Sequence, residues 1–256
     1  MLAAGHGRAE EAKNAADLAK KLQNPVASLI SVPMQSNFDF NVGPDEDGFR
    51  YGLNAQPVIP LSLADDWNLI SRTIVPIVHQ DDVVPGTGTQ SGLGDIVQSF
   101  FLSPAQPGPL GVIWGAGPVV LLPTATHESL GGEKWGLGPT AVALRQRGPW
   151  TYGALVNHLW SFAGTARRED VNASFLQPFV SYTLKTATTF SLNNESTYDW
   201  NGEQWSVPIN AAVSQVLKLG SQLFSVSAGP RYWAESPRGG PHDVGFRVTL
   251  TLLFPT

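Results

Sequence analysis

From Val244 to Phe254 apolar side chains occupy every second position, Val244, Phe246, Val248, Leu250, Leu252 and Phe254, with Arg247, Thr249 and Thr251 between them. A period of two belongs to an extended strand, so this stretch has one oily face and one polar face. An aromatic stands two places from the end of the chain, as in the closing strand of a barrel. In hydrocarbon an open sheet edge leaves backbone N–H and C=O groups without partners, so a closing strand must pair with the first one. The rest of the chain is therefore expected to be a run of similar strands.

That expectation holds along the sequence. After Pro25 the chain divides into about twelve strand-like segments of the length needed for tilted membrane-crossing strands. The first, near 28–42, sets Met34, Phe38 and Phe40 against Gln35, Asn37 and Asp39; the second, near 49–63, sets Tyr51, Leu53, Ala55 and Ile59 against Asn54 and Gln56. Later segments repeat the pattern, Leu69 to Ile77 around Arg72, Leu176 to Tyr182 around Gln177, and Phe190, Leu192 and Tyr198 around Asn193 and Glu195. Connections alternate between longer charged loops, such as 80–91 and 124–134, and short turns, which predicts an even-stranded barrel with both termini on the periplasmic side.

Composition agrees. Only 14% of the residues are charged, against roughly 25% in soluble domains. The uncharged stretch from Ile96 to His127 contains Pro104, Pro107, Pro109, Pro118 and Pro123, and a helix interior loses about 3 kcal/mol per proline, so it reads as two strands and a turn. A net charge of −5 offers no basic footprint for nucleic acid. With no cysteine there is neither a disulfide framework nor a Cys-ligated metal site, and no cofactor is implied. Met1 to Gly7 lacks the apolar core of a secretory signal, so the expected signal peptide is missing from the chain as given.

Residues 1–25 read as a lead-in and 26–256 as the barrel. Glu10 to Gln23 carries Ala12, Ala15, Leu18, Ala19 and Leu22 at helical spacing, ended by Asn24 and Pro25. This short helix is either a periplasmic lead-in or a plug. Pro33, Pro57, Pro60, Pro76, Pro118, Pro139, Pro178, Pro208 and Pro230 fall inside the strand segments. Proline cannot donate to a ladder, so either bulges absorb these positions or they argue for a water-soluble β-sandwich or barrel.

Six stretches, Asn24-Pro-Val-Ala-Ser-Leu-Ile-Ser-Val-Pro33, Gln56-Pro-Val-Ile-Pro60, Gly92-Leu-Gly-Asp95, Leu121-Leu-Pro-Thr124, Gly132-Glu-Lys-Trp-Gly-Leu-Gly-Pro139 and Arg231-Tyr-Trp-Ala-Glu235, carry a resemblance in their order and spacing. The chain resembles the MetA-pathway of phenol degradation family of outer-membrane β-barrel proteins. The resemblance implies an outer-membrane barrel associated with transport. It brings no catalytic or binding residues with it.

The candidate functional surface is the polar face, which a membrane barrel turns inward. It comprises Asp39, Asn54, Gln56, Arg72, Asp95, Gln177, Asn193, Glu195, Arg231 and Arg247. Arg72, Arg231 and Arg247 are expected to meet Asp39, Asp95 and Glu195, either knitting the lumen together or forming a constriction that selects small solutes. Hydrolysis requires a nucleophile, a base and an orienting group in one place. His158 has Ser161 three residues away on the opposite face, His79 lies beside Asp81 and Asp82, and no Gly-x-Ser-x-Gly stretch occurs, so no catalytic residue is expected. The five histidines are isolated and read as non-ligands. Trp67, Trp114, Trp135, Trp150, Trp160, Trp200 and Trp205 lie near strand ends, where an aromatic girdle would place them.

The sequence thus predicts an all-β fold: a closed, antiparallel, up-and-down transmembrane barrel of about twelve strands with a short N-terminal helix. Its expected role is a passive outer-membrane channel for small molecules, hydrophobic or aromatic ones included, with membrane lipid and lipopolysaccharide as neighbours. The alternatives are a closed barrel acting through its loops and a soluble ligand-binding barrel.

Overall fold

The structure, a computed structural model, describes residues 14–83 and 86–254. Its strands are β1 (Ile30–Val42), β2 (Gly48–Ala55), β3 (Val58–Ala64), β4 (Trp67–Asp81), β5 (Gln90–Leu93), β6 (Ile96–Pro104), β7 (Val112–Leu122), β8 (Lys134–Arg147), β9 (Trp150–Gly164), β10 (Asn172–Thr183), β11 (Thr188–Asn194), β12 (Ser196–Asp199), β13 (Gln204–Leu219), β14 (Gln222–Glu235) and β15 (Asp243–Phe254). Three pairs, β2 with β3, β5 with β6 and β11 with β12, are single staves broken in the middle, so the wall has twelve staves. Each stave pairs with its sequence neighbours. β15 returns to β1, with Ile30 opposite Phe254 and Phe38 opposite Phe246. The barrel is closed and antiparallel, as the terminal alternation requires.

Exposure fixes which face looks out. On β15, Phe246 is 43% exposed and Arg247 8%, so the oily face is external and the polar face internal. Two aromatic rims bound the oily belt. Trp67, Trp114 and Trp150 lie toward the end of the barrel that carries the chain termini, Trp67 edge-on to Trp114 and Trp150 edge-on to Tyr182. Trp135, Trp160, Trp200 and Trp205 lie toward the opposite end, where residues 86–89, 123–133 and 165–171 lie in loops.

The prolines do not act mainly through bulges. Pro118 and Pro139 face each other across β7 and β8, and Pro230 faces Phe246, with the register undisturbed. Instead several lie where staves break. Pro57 occupies the gap between β2 and β3, Pro76 accepts from the Gly94 amide at the gap between β5 and β6, and Pro208 accepts from Glu195 between β11 and β12. A proline removes one ladder donor, and a stave interrupted there forfeits no further bond. Only at Pro208 does a register shift coincide with a proline, between Val207 and Pro208.

The interior departs from the expectation of a uniformly polar lumen. Residues 14–21 are helical, while Glu10 to Lys13 of the anticipated helix, and Met1 to Gly7, lie outside the described residues. The helix packs Ala19 with Leu29, Val216 and Leu253 at the terminal end of the barrel, and Lys20 O accepts from Gln146 Nε2 at 2.8 Å. The chain then turns inward, Asn24 Oδ1 accepting from the Val26 amide at 3.0 Å. Val26 seats against Ile70, Phe101, Val142, Leu144 and Leu155, with Phe175 and Phe179 alongside. One sector of the inner wall is therefore apolar because it meets protein rather than water. Gly115 permits this approach: a Cβ there would lie 3.2 Å from both Phe101 Cβ and Val26 Cγ1.

Phe101 is fully buried in this cluster. Phe101→Ala should lower the stability of the refolded barrel by about 3–5 kcal/mol, read as a shift of the urea midpoint in detergent micelles.

Candidate functional site in the lumen

Alternation carries polar side chains inward from β1, β11, β12, β13, β14 and β15, and closure brings them to one level. Glu195, at the break between β11 and β12, is their centre. Arg247 grips it with both guanidinium ends, Nη1 to Oε1 and Nη2 to Oε2, each at 2.8 Å. Such a two-pronged, charge-assisted pair is the strong form of an ion pair. Arg231 Nη1 donates to Glu195 Oε2 and to Asn210 Oδ1, both at 3.3 Å. Its Nε lies 3.1 Å from Asp39 Oδ1 without hydrogen-bond alignment.

The neighbours complete the belt. Arg247 Nε donates to Asn37 Oδ1 at 2.6 Å, and Trp233 Nε1 donates to Asp39 Oδ1 at 2.9 Å. Asn210 Nδ2 donates to Asn193 Oδ1 at 2.9 Å, and Gln177 Nε2 reaches Glu195 Oε1 at 3.5 Å. Arg231 also lies over the Trp233 ring, 4.5 Å from its centroid. Gly245 clears space beside Asp39, since a Cβ there would fall 2.5 Å from Phe38 O and 3.1 Å from Asp39 Oδ1. Two arginines face two carboxylates, so the belt balances its own charge.

On the terminal side of this belt lies a cavity of about 280 Å³. Ser191, Ser214, Ser225, Ser227, Thr249 and Thr251 form its wall, and residues 21–25 with Ala27 and Leu29 form the opposite side. Arg72 reaches into the same space and donates to Gln56 Oε1 at 2.8 Å. The lumen is thus divided into an apolar sector filled by Val26 and a hydroxyl-lined sector that is not filled.

Four of the anticipated residues, Asp39, Glu195, Arg231 and Arg247, meet in the ion-pair belt, with Gln177 and Asn193 at its edge. Arg72 and Gln56 pair with each other at the cavity rather than with an acid. Asn54 is half-buried between Gln35 and Pro76 of the flanking strands. Asp95 is a correction. It meets no arginine, because the break between β5 and β6 turns it toward loop 123–133, where it accepts from the Ala125 and Gly132 amides at 3.1 and 2.6 Å.

Asn37, Asn210, Trp233 and the row of inner serines and threonines were missed, although their alternation was legible. Two of the histidines meet serines across their strand pairs, while no cluster of three or more His, Cys, Asp or Glu side chains occurs among the described residues. His79 Nδ1 lies 2.7 Å from Ser91 Oγ, and His158 Nδ1 lies 2.7 Å from Ser174 Oγ. Ser161 bonds Asp170 at 3.1 Å instead of His158.

No protein-family model matches the chain, so the motifs quoted for the MetA-pathway family stand without one. No curated protein matches it either. Among solved structures it is similar to an outer-membrane channel from Pseudomonas putida F1, with a TM-score of 0.68 and 13% identity over 88% of this chain and 94% of that one. Alignments with the β domain of a Bordetella autotransporter (TM-score 0.46, 12% identity, 87% of this chain and 98% of that one) and with outer-membrane phospholipase A from Escherichia coli (0.45, 13%, 88% and 96%) are too loose to carry an argument. The first likeness shows the fold, a closed antiparallel β-barrel.

Glu195→Ala would leave two buried guanidinium groups short of a partner, and breaking a buried pair in this way typically costs about 3–5 kcal/mol. Urea unfolding of the refolded variant should show that loss, and Glu195→Gln, which keeps one acceptor oxygen, should show less.

Proposed function

We propose that this chain is a narrow outer-membrane channel for small polar solutes. The carrying observation is the cavity of about 280 Å³ between the N-terminal segment and the serine and threonine row. Those hydroxyls donate and accept, so they can replace the water of a small polar solute passing along them. The lumen favours such solutes over hydrophobic ones, because its apolar sector is occupied by Val26. Beyond the cavity a solute meets the Asp39, Arg231, Glu195 and Arg247 belt, which excludes bulk and passes small groups able to exchange hydrogen bonds with it.

In this reading the belt between the tryptophan rims lies in hydrocarbon, with termini in the periplasm and long loops among lipopolysaccharide. Large apolar side chains on the outer wall, Leu137 and Leu192 among them, would be costly in water, which disfavours a soluble barrel. The motif resemblance to a transport-associated outer-membrane family supports the same reading. A second reading, a barrel sealed by its N-terminal segment and active through its loops, is favoured by the packing of Val26 and Leu29 against the inner wall.

Planar-bilayer recordings separate the two. The full chain should give a small conductance, and removing residues 2–28 should raise it severalfold. Silence from both the full and the truncated protein would defeat the channel reading.

A further inference from the structure

On the outer wall near the loop end, three polar side chains stand among the tryptophans. His158 on β9 faces Ser174 on β10, and Trp160 faces Asn172. These are outward positions, since Val156 and Trp160 on β9 and Leu176 on β10 stand two residues from them, on the same face, and are exposed. His158 Nδ1 lies 2.7 Å from Ser174 Oγ, and its Nε2 lies 3.1 Å from Asn172 Oδ1. The Trp200 indole donates to Ser174 Oγ at 2.9 Å.

In one of the arrangements these distances allow, Ser174 Oγ accepts from the Trp200 N–H, which only donates, and gives its own proton to His158 Nδ1. Nδ1 is then unprotonated, so the neutral ring carries its proton on Nε2 and gives it to the Asn172 amide oxygen. A hydroxyl donating to an imidazole whose other nitrogen is held by a third group is the nucleophile, base and orienter relationship of acyl-transfer enzymes. The His158 ring is held against Trp160 with centroids 4.0 Å apart.

We propose that Ser174, His158 and Asn172 form an esterase site on the lipid-facing wall, acting on carboxylic esters of membrane amphiphiles. Ser174 is the nucleophile, His158 the general base and Asn172 a positioning residue. The substrate class follows from location. Trp160 and Trp200 mark the interfacial rim on one side, and Val156 and Leu176 begin the oily belt on the other. A lipid's ester linkages lie at that boundary between headgroup and chain. This choice of substrate rests on the membrane placement proposed above, whereas the hydrogen-bond relay does not.

In the first step Ser174 Oγ bonds to the ester carbonyl carbon while its proton passes to His158 Nδ1. The carbon–oxygen bond to the alcohol then breaks, and the alcohol leaves with that proton. Water attacks the acyl-serine, its proton going to Nδ1 and back to Ser174 Oγ as the carboxylic acid departs. The same three bonds would also merely satisfy polar groups at the edge of an apolar belt, and measurement separates the two cases.

The full chain, refolded in non-ionic detergent, is assayed with p-nitrophenyl butyrate and with phosphatidylethanolamine vesicles, and is treated with a fluorophosphonate followed by peptide mass mapping. Hydrolysis of both probes is expected, with the label on Ser174. Ser174→Ala and His158→Gln should each lose roughly 100-fold or more, with the folded barrel's heat-modifiable gel mobility retained. Asn172→Ala should lose rate and displace the pH profile, and Asn172→Asp should restore both. Ser174→Ala as active as the parent, or no hydrolysis of either probe together with no label on Ser174, overturns the site. Hydrolysis of the butyrate alone retains the relay and overturns the lipid substrate.

Discussion

The pairing of Ile30–Phe38 with Phe246–Phe254 is the contact on which everything else depends. Without it both terminal strands would present rows of unpaired N–H and C=O groups, which is prohibitive in hydrocarbon. With it the sheet has no edge, its outer face is free to be oily, and every inward polar side chain shares one confined volume. The broken staves are compatible with this closure because β2, β3, β11 and β12 each reach both neighbouring staves, and where β5 pairs with β4 alone its continuation β6 pairs with both β4 and β7. Prolines at or opposite those breaks remove donors where the ladder is already interrupted.

Confinement then decides the chemistry of the lumen. Charges that are far apart along the chain, such as Asp39 and Arg231 or Glu195 and Arg247, are held side by side and out of bulk water. Each would be expensive alone, and together they are compensated. The same confinement lets the segment before β1 double back, so that Val26 turns one sector of the wall into a small hydrophobic core. A barrel of this size is therefore neither a simple pore nor a packed solid, and its open volume is set by where the N-terminal segment lies.

The outer wall obeys the opposite rule. Polar groups there must satisfy one another, and His158, Ser174, Asn172 and Trp200 do so at the tryptophan rim. Two neighbouring strands supply all but Trp200, so their proximity depends on the register of β9 against β10. That is why His158 looked unpartnered in the sequence: its nearest serine in the chain, Ser161, is of the wrong parity, while the serine it meets lies across the pair.

Much of the fold was legible in the chain because alternation is local. Val244 to Phe254 declared which face points outward, the tryptophans marked the rims, the strand-like segments gave about twelve staves, and the alternation of long and short connections made their number even. Inward-facing Asp39, Arg231, Glu195 and Arg247 could be named for the same reason. Their mutual geometry could not, since it depends on register across pairs distant in sequence, on the stave break that places Glu195, and on the turn that removes Asp95 to a loop. Nor could the apolar sector be foreseen, because Ile70 and Phe101 look like any other strand residues until Val26 is seen to lie against them. Period and composition determined that this protein is a barrel with an oily exterior; only the closed three-dimensional arrangement decided what its interior and its outer rim bring within bonding distance, because those distances are set between strands rather than along them.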